Sequence, residues 1–213
     1  MITCQCPAAN ALTTIPAQGC AESFGQIQKV AFQRLTSGGT KNSFDTTNDI
    51  KVKASWTAAM AASDSTKIVI SPYIQAPTVE AGAARTFGGG NETLGGVEQV
   101  IGREPTPFTG VMRAVKQAVI KAMKDLQCEA IADNLGVYLF DENGNICGIQ
   151  DGTTFYPIPI RSLFIGDKSF GGLEAPDSNA IQWSFLPNYS DDLAIVSPTD
   201  FNPLTDLVPA SQS

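Results

Sequence analysis

The chain has 213 residues and a mass of 22.5 kDa, enough for one domain with a sizeable core. Apolar residues make up 43% and charged residues only 16%, which excludes a disordered, highly charged chain. The sequence contains no histidine, which excludes Ser-His-Asp and Cys-His catalysis and His-ligated zinc sites. The sequence therefore predicts a non-enzymatic protein without a cofactor.

The charge is unevenly distributed along the chain. The net charge is −7: residues 1–129 contain twelve Lys and Arg against ten Asp and Glu, whereas residues 130–213 contain two against eleven. This balance argues against general nucleic-acid binding, because phosphates are neutralised by clustered Lys and Arg. Two interpretations of the C-terminal acids stay open together: they form a face that repels DNA, or they occupy turns and give solubility.

The N-terminal part shows no targeting or metal-binding signal. The apolar runs are too short for a membrane span and the first residues lack the pattern of a signal peptide, so a soluble protein made in the cytoplasm is expected. The five cysteines are expected to be reduced. Cys4, Cys6 and Cys20 offer only three thiolates, so no structural metal is expected.

Alternating apolar residues and turn signals predict about seven or eight mostly antiparallel strands. Segment 50–62 is expected to begin as a strand and become a short helix, and residues 36–49 to form a loop. Strands are predicted within residues 22–35, 65–75, 135–149, 153–166, 179–188 and 191–198. Asn143-Gly144 predicts a primed hairpin turn, which we favour over a calcium loop because the bidentate Glu is missing. Pro72, Pro157 and Pro159 are typical of edge strands.

One long amphipathic helix is predicted after residue 105. Thr106 is a plausible N-cap with Pro107 at the first helical position, and apolar residues recur at intervals of three and four up to Leu126. The basic residues lie mainly off this apolar stripe, facing solvent or an acidic partner: Arg113, Lys116, Lys121 and Lys124. The predicted fold class is α+β, a mostly antiparallel β-sandwich or barrel with one long flanking helix, in a single domain of residues 1–213.

Residues 76–104 form the most unusual segment, because they show almost no periodicity. Its glycines do not resemble a phosphate-binding loop, since no Lys-Ser or Lys-Thr pair follows them. A loop this long predicts ordering against a neighbouring subunit, to which the stretch VEQVI could add a strand. The candidate residues for this loop are Phe87, Gly88, Gly89, Gly90, Asn91, Gly95 and Gly96.

Three stretches resemble a structural protein of tailed phages that infect Bacteroidetes. These are residues 55–117, from SWTAAMAASDS to GVMRAVKQ, the stretch SFGQIQKVAFQRL near the start, and NAIQWSFLPNYSDDLAIVSP near the end. The preferred family is that of the major tail tube proteins. The resemblance implies a β-sandwich that joins five others in a hexameric ring, a flanking helix, a long loop that reaches the adjacent ring, and an acidic lumen through which DNA slides without specific binding.

The resemblance also implies where the protein works and what it contacts. It would be located in the virion tail after assembly in the bacterial host cytoplasm, with copies of itself and other tail proteins as partners and no membrane. The acidic candidates for the lumen are Asp141, Glu142, Asp151, Asp191 and Asp192. The C-terminal segment 199–213 is expected to be extended, lying over a neighbour or disordered.

Two alternatives stay open. The chain could be another virion component: a head decoration protein, a tail terminator or connector, or a fibre-associated module that binds glycans through Trp183, Tyr189 and Asp191. An enzyme would need a carboxylate pair such as Asp191 and Asp192, but adjacent residues on a strand point to opposite faces.

Overall fold

The structure, a computed structural model, describes residues 14–19 and 23–208. These residues form fourteen strands and two α-helices. The strands are β1 (Ile27–Arg34), β2 (Thr36–Ser37), β3 (Thr40–Lys41), β4 (Ile68–Ile70), β5 (Gln75–Val79), β6 (Ala84–Phe87), β7 (Gln99–Arg103), β8 (Thr106–Arg113), β9 (Leu135–Asp141), β10 (Ile146–Asp151), β11 (Thr154–Tyr156), β12 (Ile158–Ile165), β13 (Ser178–Phe185) and β14 (Leu193–Val196). The helices are α1 (Lys53–Ala61) and α2 (Gln117–Ile131).

Ten strands form one antiparallel sheet, and the other four form two separate hairpins, β2–β3 and β6–β7. The main path of the sheet is β11-β10-β9-β12-β13-β8-β5, with β1 joining β9 to β4, and β14 lying beside β10. Within the described residues the sheet is open, since β4, β5 and β14 each pair with one strand only. The predicted fold class is confirmed as a mostly antiparallel β-fold with helices, without barrel closure.

The centre of the sheet is buried on both faces. Alternate residues of β1 and β9 point to two different cores, Val30 and Val137 to the first, Ala31 and Tyr138 to the second. Every residue of β9 is buried as a result. Burial raises the pKa of Tyr138, whose hydroxyl donates to Gln33 Oε1 at 3.2 Å.

The first core joins the two halves of the sheet. Trp183 of β13 stacks on Phe108 of β8 with ring centroids 3.7 Å apart and meets Phe32 of β1 edge-on at 6.1 Å. Strand β12 pairs first with β9 and then with β13, and a register shift lies between Arg161 and Phe164. Helix α2 closes this core with Ile120 and Met123. This burial excludes Trp183 from an exposed glycan-binding surface.

The second core contains α1 and the C-terminal segment. Trp56 of α1 packs against the rings of Phe44, Tyr138 and Phe140. Leu204 and Leu207 are buried in the same cluster. Residues 199–208 therefore pack on their own domain, which corrects the expectation of an extended tail there; residues 209–213 lie outside the described part.

Lys29 anchors that C-terminal segment. Its Nζ donates to the carbonyl oxygen of Leu204 and lies 4.3 Å from the ring centre of Tyr73, whose hydroxyl also donates to Leu204 O at 3.0 Å. Burial lowers the pKa of Lys29.

The prediction of a helix from Thr106 is wrong for its first half. Residues 106–113 form β8, and the helix begins only at Gln117. The buried residues of β8 are Thr106, Phe108, Gly110 and Met112, a period of two. Phe108 and Met112 are four residues apart, a spacing that fits a helix turn and a strand equally well. The short helix predicted within 50–62 is confirmed as α1, but the strand expected before it is absent from residues 50–52.

Two local predictions also need correction. Residues 142–145 connect β9 and β10, and of Asn143 and Gly144 only Gly144 has a positive φ, 81°, so the turn is not a primed two-residue turn. Pro159 faces Gly136 of β9 where β12 changes partner, so it does not lie on an edge strand. Pro72 does follow the edge strand β4.

Neither helix of the described residues is long and apolar enough to span a membrane.

Candidate assembly site

The segment predicted as a long loop is a projecting hairpin. Strands β6 and β7 pair with each other and with no strand of the large sheet; we call residues 84–103 the arm. Glu104 N donates to Ala83 O at 2.9 Å, and Gly82 N donates to Thr106 Oγ1 at 3.2 Å. A Cβ on Gly82 would lie 2.0 Å from Glu104 O, so the root of the arm requires a glycine there. The arm is thus held by hydrogen bonds at its base, and none of its strands pairs with the large sheet.

Glycines define the shape of the arm tip. Gly88, Gly89, Gly90, Gly95 and Gly96 all have positive φ, between 56° and 107°. The hydroxyl of Thr93 accepts a hydrogen bond from Gly89 N at 3.1 Å and donates to Val97 O at 2.7 Å. The predicted loop glycines therefore form a defined tip, on which Asn91 is exposed.

The arm exposes an unusual amount of apolar surface. Phe87 is 51% exposed and Leu94 is fully exposed. Three more large apolar side chains of the arm are also exposed: Val97, Val100 and Ile101. The sequence prediction included Phe87, and the stretch VEQVI hinted at the rest, but Leu94 was missed. Several large apolar side chains exposed on one hairpin are typical of a protein interface.

The arm also has an ordered charge pattern. Glu92 and Glu98 are exposed near the tip, whereas Arg85 and Arg103 are exposed on the stem. None of the four side chains forms an ion pair with another described residue.

The fold brings together three of the five acidic candidates for the lumen. Because β10 pairs with β14, Ile149 faces Leu193 and Gln150 N donates to Asp192 O at 3.0 Å. Asp151, Asp191 and Asp192 consequently lie at one end of this strand pair, and all are exposed; we call them the acidic cluster. Glu142 is exposed at the other end of β10, about 17 Å away along the strand.

Asp141 does not belong to an exposed acidic surface. It is 0% exposed, and its carboxylate accepts hydrogen bonds from the backbone N–H groups of Gly25, Asn143 and Asn145 at 3.1, 2.9 and 2.7 Å, and from Asn145 Nδ2 at 2.9 Å. The carboxylate organises the β9–β10 connection. In the described residues the role of Asp141 is structural, which corrects its assignment to the lumen.

The basic residues of the predicted helix lie on two elements. Arg113 ends β8, Lys116 precedes α2, and Lys121 and Lys124 lie on α2. Lys124 forms an ion pair with Asp167, and this contact lowers the pKa of the Asp167 carboxyl. The other three are exposed without an ion pair among the described residues.

A cleft of about 540 Å³ lies between the start of β1, β5 and β14. Its walls include Phe24, Val79, Leu139 and Phe185, and no charged residue lines it. Burial, followed by the electrostatic influence of Cys147, raises the pKa of Tyr189 in its wall. The cleft can hold apolar groups but offers no acid–base pair.

The described residues contain no group of three or more Cys, Asp or Glu side chains arranged to hold a metal ion. Cys128 is exposed and Cys147 is buried. The cluster of Cys4, Cys6 and Cys20 lies outside the described residues. Asp191 and Asp192 lie in the connection before β14 and are exposed to solvent.

Comparison with known proteins does not assign the chain to a family: no family model matches its sequence, and no curated protein or solved structure is significantly similar to it.

Proposed function

We propose that the chain is a structural subunit of a phage tail, which assembles into stacked hexameric rings that form the tail tube. The observation that supports this proposal most strongly is the arm, with five large apolar side chains exposed on a hairpin that pairs with no other strand of the described residues. A free subunit gains nothing from such a surface, whereas an assembling subunit buries it against a neighbour. The resemblance of residues 55–117 to phage virion proteins supports a phage tail as the kind of assembly.

The remaining architecture agrees with this proposal. We interpret the two halves of the sheet, which share the first core, as the β-sandwich of a tail tube protein, with α2 as its flanking helix. The open edges at β4, β5 and β14 offer backbone groups to a neighbour in the ring. Such a subunit acts in the virion tail beside other tail proteins, without catalysis or cofactor.

We assign the acidic cluster to the lumen. Asp151, Asp191 and Asp192, repeated around a ring, create a negative potential that keeps DNA phosphates from binding to the wall. DNA then passes without specific contacts.

The proposal is tested by negative-stain electron microscopy and light-scattering mass of the purified full chain at low and high concentration. Rings or hollow tubes with about six subunits per layer are expected. A variant with Leu94→Ser, Val97→Ser and Val100→Ser is expected to keep its fold and lose stacking, because the arm no longer offers apolar surface. A chain that stays monomeric at every concentration contradicts the proposal and favours a decoration or connector protein.

A further inference from the structure

We propose that the arm of one copy docks on a specific surface at the opposite end of the next copy, formed by residues 166–177 and the basic residues beside them. We call residues 166–177, which connect β12 to β13, the far loop. The inference rests on the proposed stacking and names the surface that receives the arm.

The register of β8 with β13 sets the positions of the two surfaces. Thr106 faces Phe185 and Arg113 faces Ser178. The arm ends just before Thr106, and the far loop ends just before Ser178 and thus beside Arg113. The two roots are separated by the length of β8, about 24 Å. A contact between opposite ends of identical subunits is heterologous, and it produces an open stack where the rotation between successive copies does not close a ring.

The far loop exposes its own apolar side chains. Phe170 is 81% exposed and Leu173 fully exposed. The loop is nevertheless ordered, since Ser169 and Ser178 exchange two backbone hydrogen bonds of 2.7 and 2.9 Å. A Cβ on Gly171 would lie 2.0 Å from Ala175 O, so the close approach of the chain to itself requires glycine. The loop thus presents Phe170 and Leu173 outward on a fixed support.

The charges of the two surfaces are complementary. Arg113 faces Ser178, Lys116 follows Ala114, whose N–H donates to Asp177 O at 2.8 Å, and Lys121 lies on α2, whose Lys124 pairs with Asp167. All three basic side chains are exposed and form no ion pair among the described residues. Glu92 and Glu98 are exposed and unpaired on the arm tip. Docking would bury apolar side chains against each other and place acids beside bases, which favours one orientation.

The local acids of the far loop are mostly neutralised. Asp167 pairs with Lys124, and Asp177 lies 3.9 Å from Lys168 Nζ, which leaves Glu174 as its one carboxylate without an ion pair among the described residues. The surface therefore stays basic.

The cleft between β5 and β14 is the competing receptor, and two observations disfavour it. It is lined by Phe185 and Val79, at the same end of the strand pair as the root of the arm. Asp191 and Asp192 lie in the chain between its lining residues Ser190 and Leu193, and their carboxylates would repel the acids of the arm tip.

The test is a charge exchange in the full-length chain. One variant has Glu92→Lys and Glu98→Lys, a second has Lys116→Glu and Lys121→Glu, and a third has all four changes. A control has Lys51→Glu and Lys53→Glu, two exposed lysines just before and at the start of α1, which packs in the second core. Circular dichroism checks that each variant folds, and light scattering with electron microscopy measures the protein concentration at which stacks form.

Each two-site variant is expected to need at least about tenfold more protein to stack, because like charges then face each other. The four-site variant and the control are expected to stack like the unmodified chain. Mixing the first two variants is expected to restore long stacks of alternating layers, because the basic arm of the first meets the acidic receiving surface of the second and the acidic arm of the second meets the basic receiving surface of the first.

The outcomes distinguish the two proposals. If the unmodified chain forms stacks and the Lys116→Glu, Lys121→Glu variant stacks equally well, the receiving surface is wrong and the tube subunit proposal stands. If the four-site variant fails to recover stacking while both pairs fold, the pairing of arm and far loop is also wrong. If the unmodified chain forms no assembly at all, both proposals fail.

Discussion

Asp141 belongs to the acidic C-terminal part of the sequence, but its carboxylate has a structural role in the fold. Its neighbour Glu142 is exposed, whereas the Asp141 carboxylate is buried and accepts four hydrogen bonds. Asp141→Asn replaces one accepting oxygen with a donor that faces other donors. We expect it to lower the free energy of unfolding by about 2 kcal/mol and the Tm by about 4–8 °C.

The matched control for Asp141 is Glu142→Gln, an exposed substitution that is expected to change stability by less than about 0.5 kcal/mol. Thermal denaturation of both variants gives the comparison. Equal midpoints for the two variants would show that the Asp141 carboxylate is dispensable for the β9–β10 connection.

Gly88 is the residue on which the shape of the arm tip depends most. Its φ is +85°, and an added Cβ would lie 2.0 Å from Thr93 Cγ2. Gly88→Ala is expected to destabilise the tip locally by about 1–3 kcal/mol and leave the Tm of the domain unchanged. Hydrogen exchange at the tip amides, which include the Gly89 donor to Thr93, measures this loss.

Gly102→Ala is the control within the same arm, because an added Cβ there meets no atom within 4 Å and its φ lies outside the left-handed region. It is expected to preserve the exchange rates of the tip. Identical rates for the Gly88 and Gly102 variants would argue that the tip has no fixed shape.

At the scale of elements, the strands that pack on a core were predicted better than the two strands of the arm. The alternation of Ile181, Trp183 and Phe185 predicted β13, and the structure confirms it because one face of that strand lies on the first core. Strands β6 and β7 were missed: neither contributes to the two cores of the described residues, so no buried face imposes an alternating pattern on them. Strand β8 was predicted to be part of a helix because a spacing of four residues between apolar side chains fits both a helix turn and a strand.

The C-terminal segment is an element of the domain, and a substitution can test it. Leu207 is buried in the second core, whereas the adjacent Val208 is 59% exposed. Leu207→Ala is expected to lower the free energy of unfolding by about 2–4 kcal/mol, since it removes buried apolar contacts and leaves a cavity.

Val208→Ala, the neighbouring control, is expected to cost less than about 0.5 kcal/mol. Urea unfolding followed by tryptophan fluorescence measures both, because Trp56 lies in the same core. A Leu207 variant as stable as the Val208 variant would mean that the segment contributes nothing to the isolated domain.

At the scale of the whole molecule, the charge asymmetry predicts how the proposed tube would treat DNA. In tubes made from a chain with Asp151→Asn, Asp191→Asn and Asp192→Asn, a short DNA duplex is expected to bind at least about tenfold more tightly at low salt, and this binding should weaken with added salt. Co-sedimentation of labelled duplex with the tubes measures the binding.

A variant with Asp49→Asn, Glu80→Gln and Glu142→Gln removes the same number of charges from exposed positions outside the acidic cluster and the far loop. It is expected to leave DNA binding unchanged. If both variants bind DNA equally, net charge rather than the position of the acidic cluster governs the effect, and the lumen assignment is lost.

Several properties can be read from residue types and short-range periodicity, which are local properties of the chain: no imidazole chemistry, few charges, an acidic C-terminal part, and many antiparallel strands. Which acids meet and which apolar residues stay exposed depends on the folded chain. Asp151 and Asp192 are distant in sequence and become neighbours through β10–β14 pairing, while Asp141 and Glu142 are adjacent in sequence and differ completely in burial. Burial and proximity depend on long-range pairing, which no local pattern specifies.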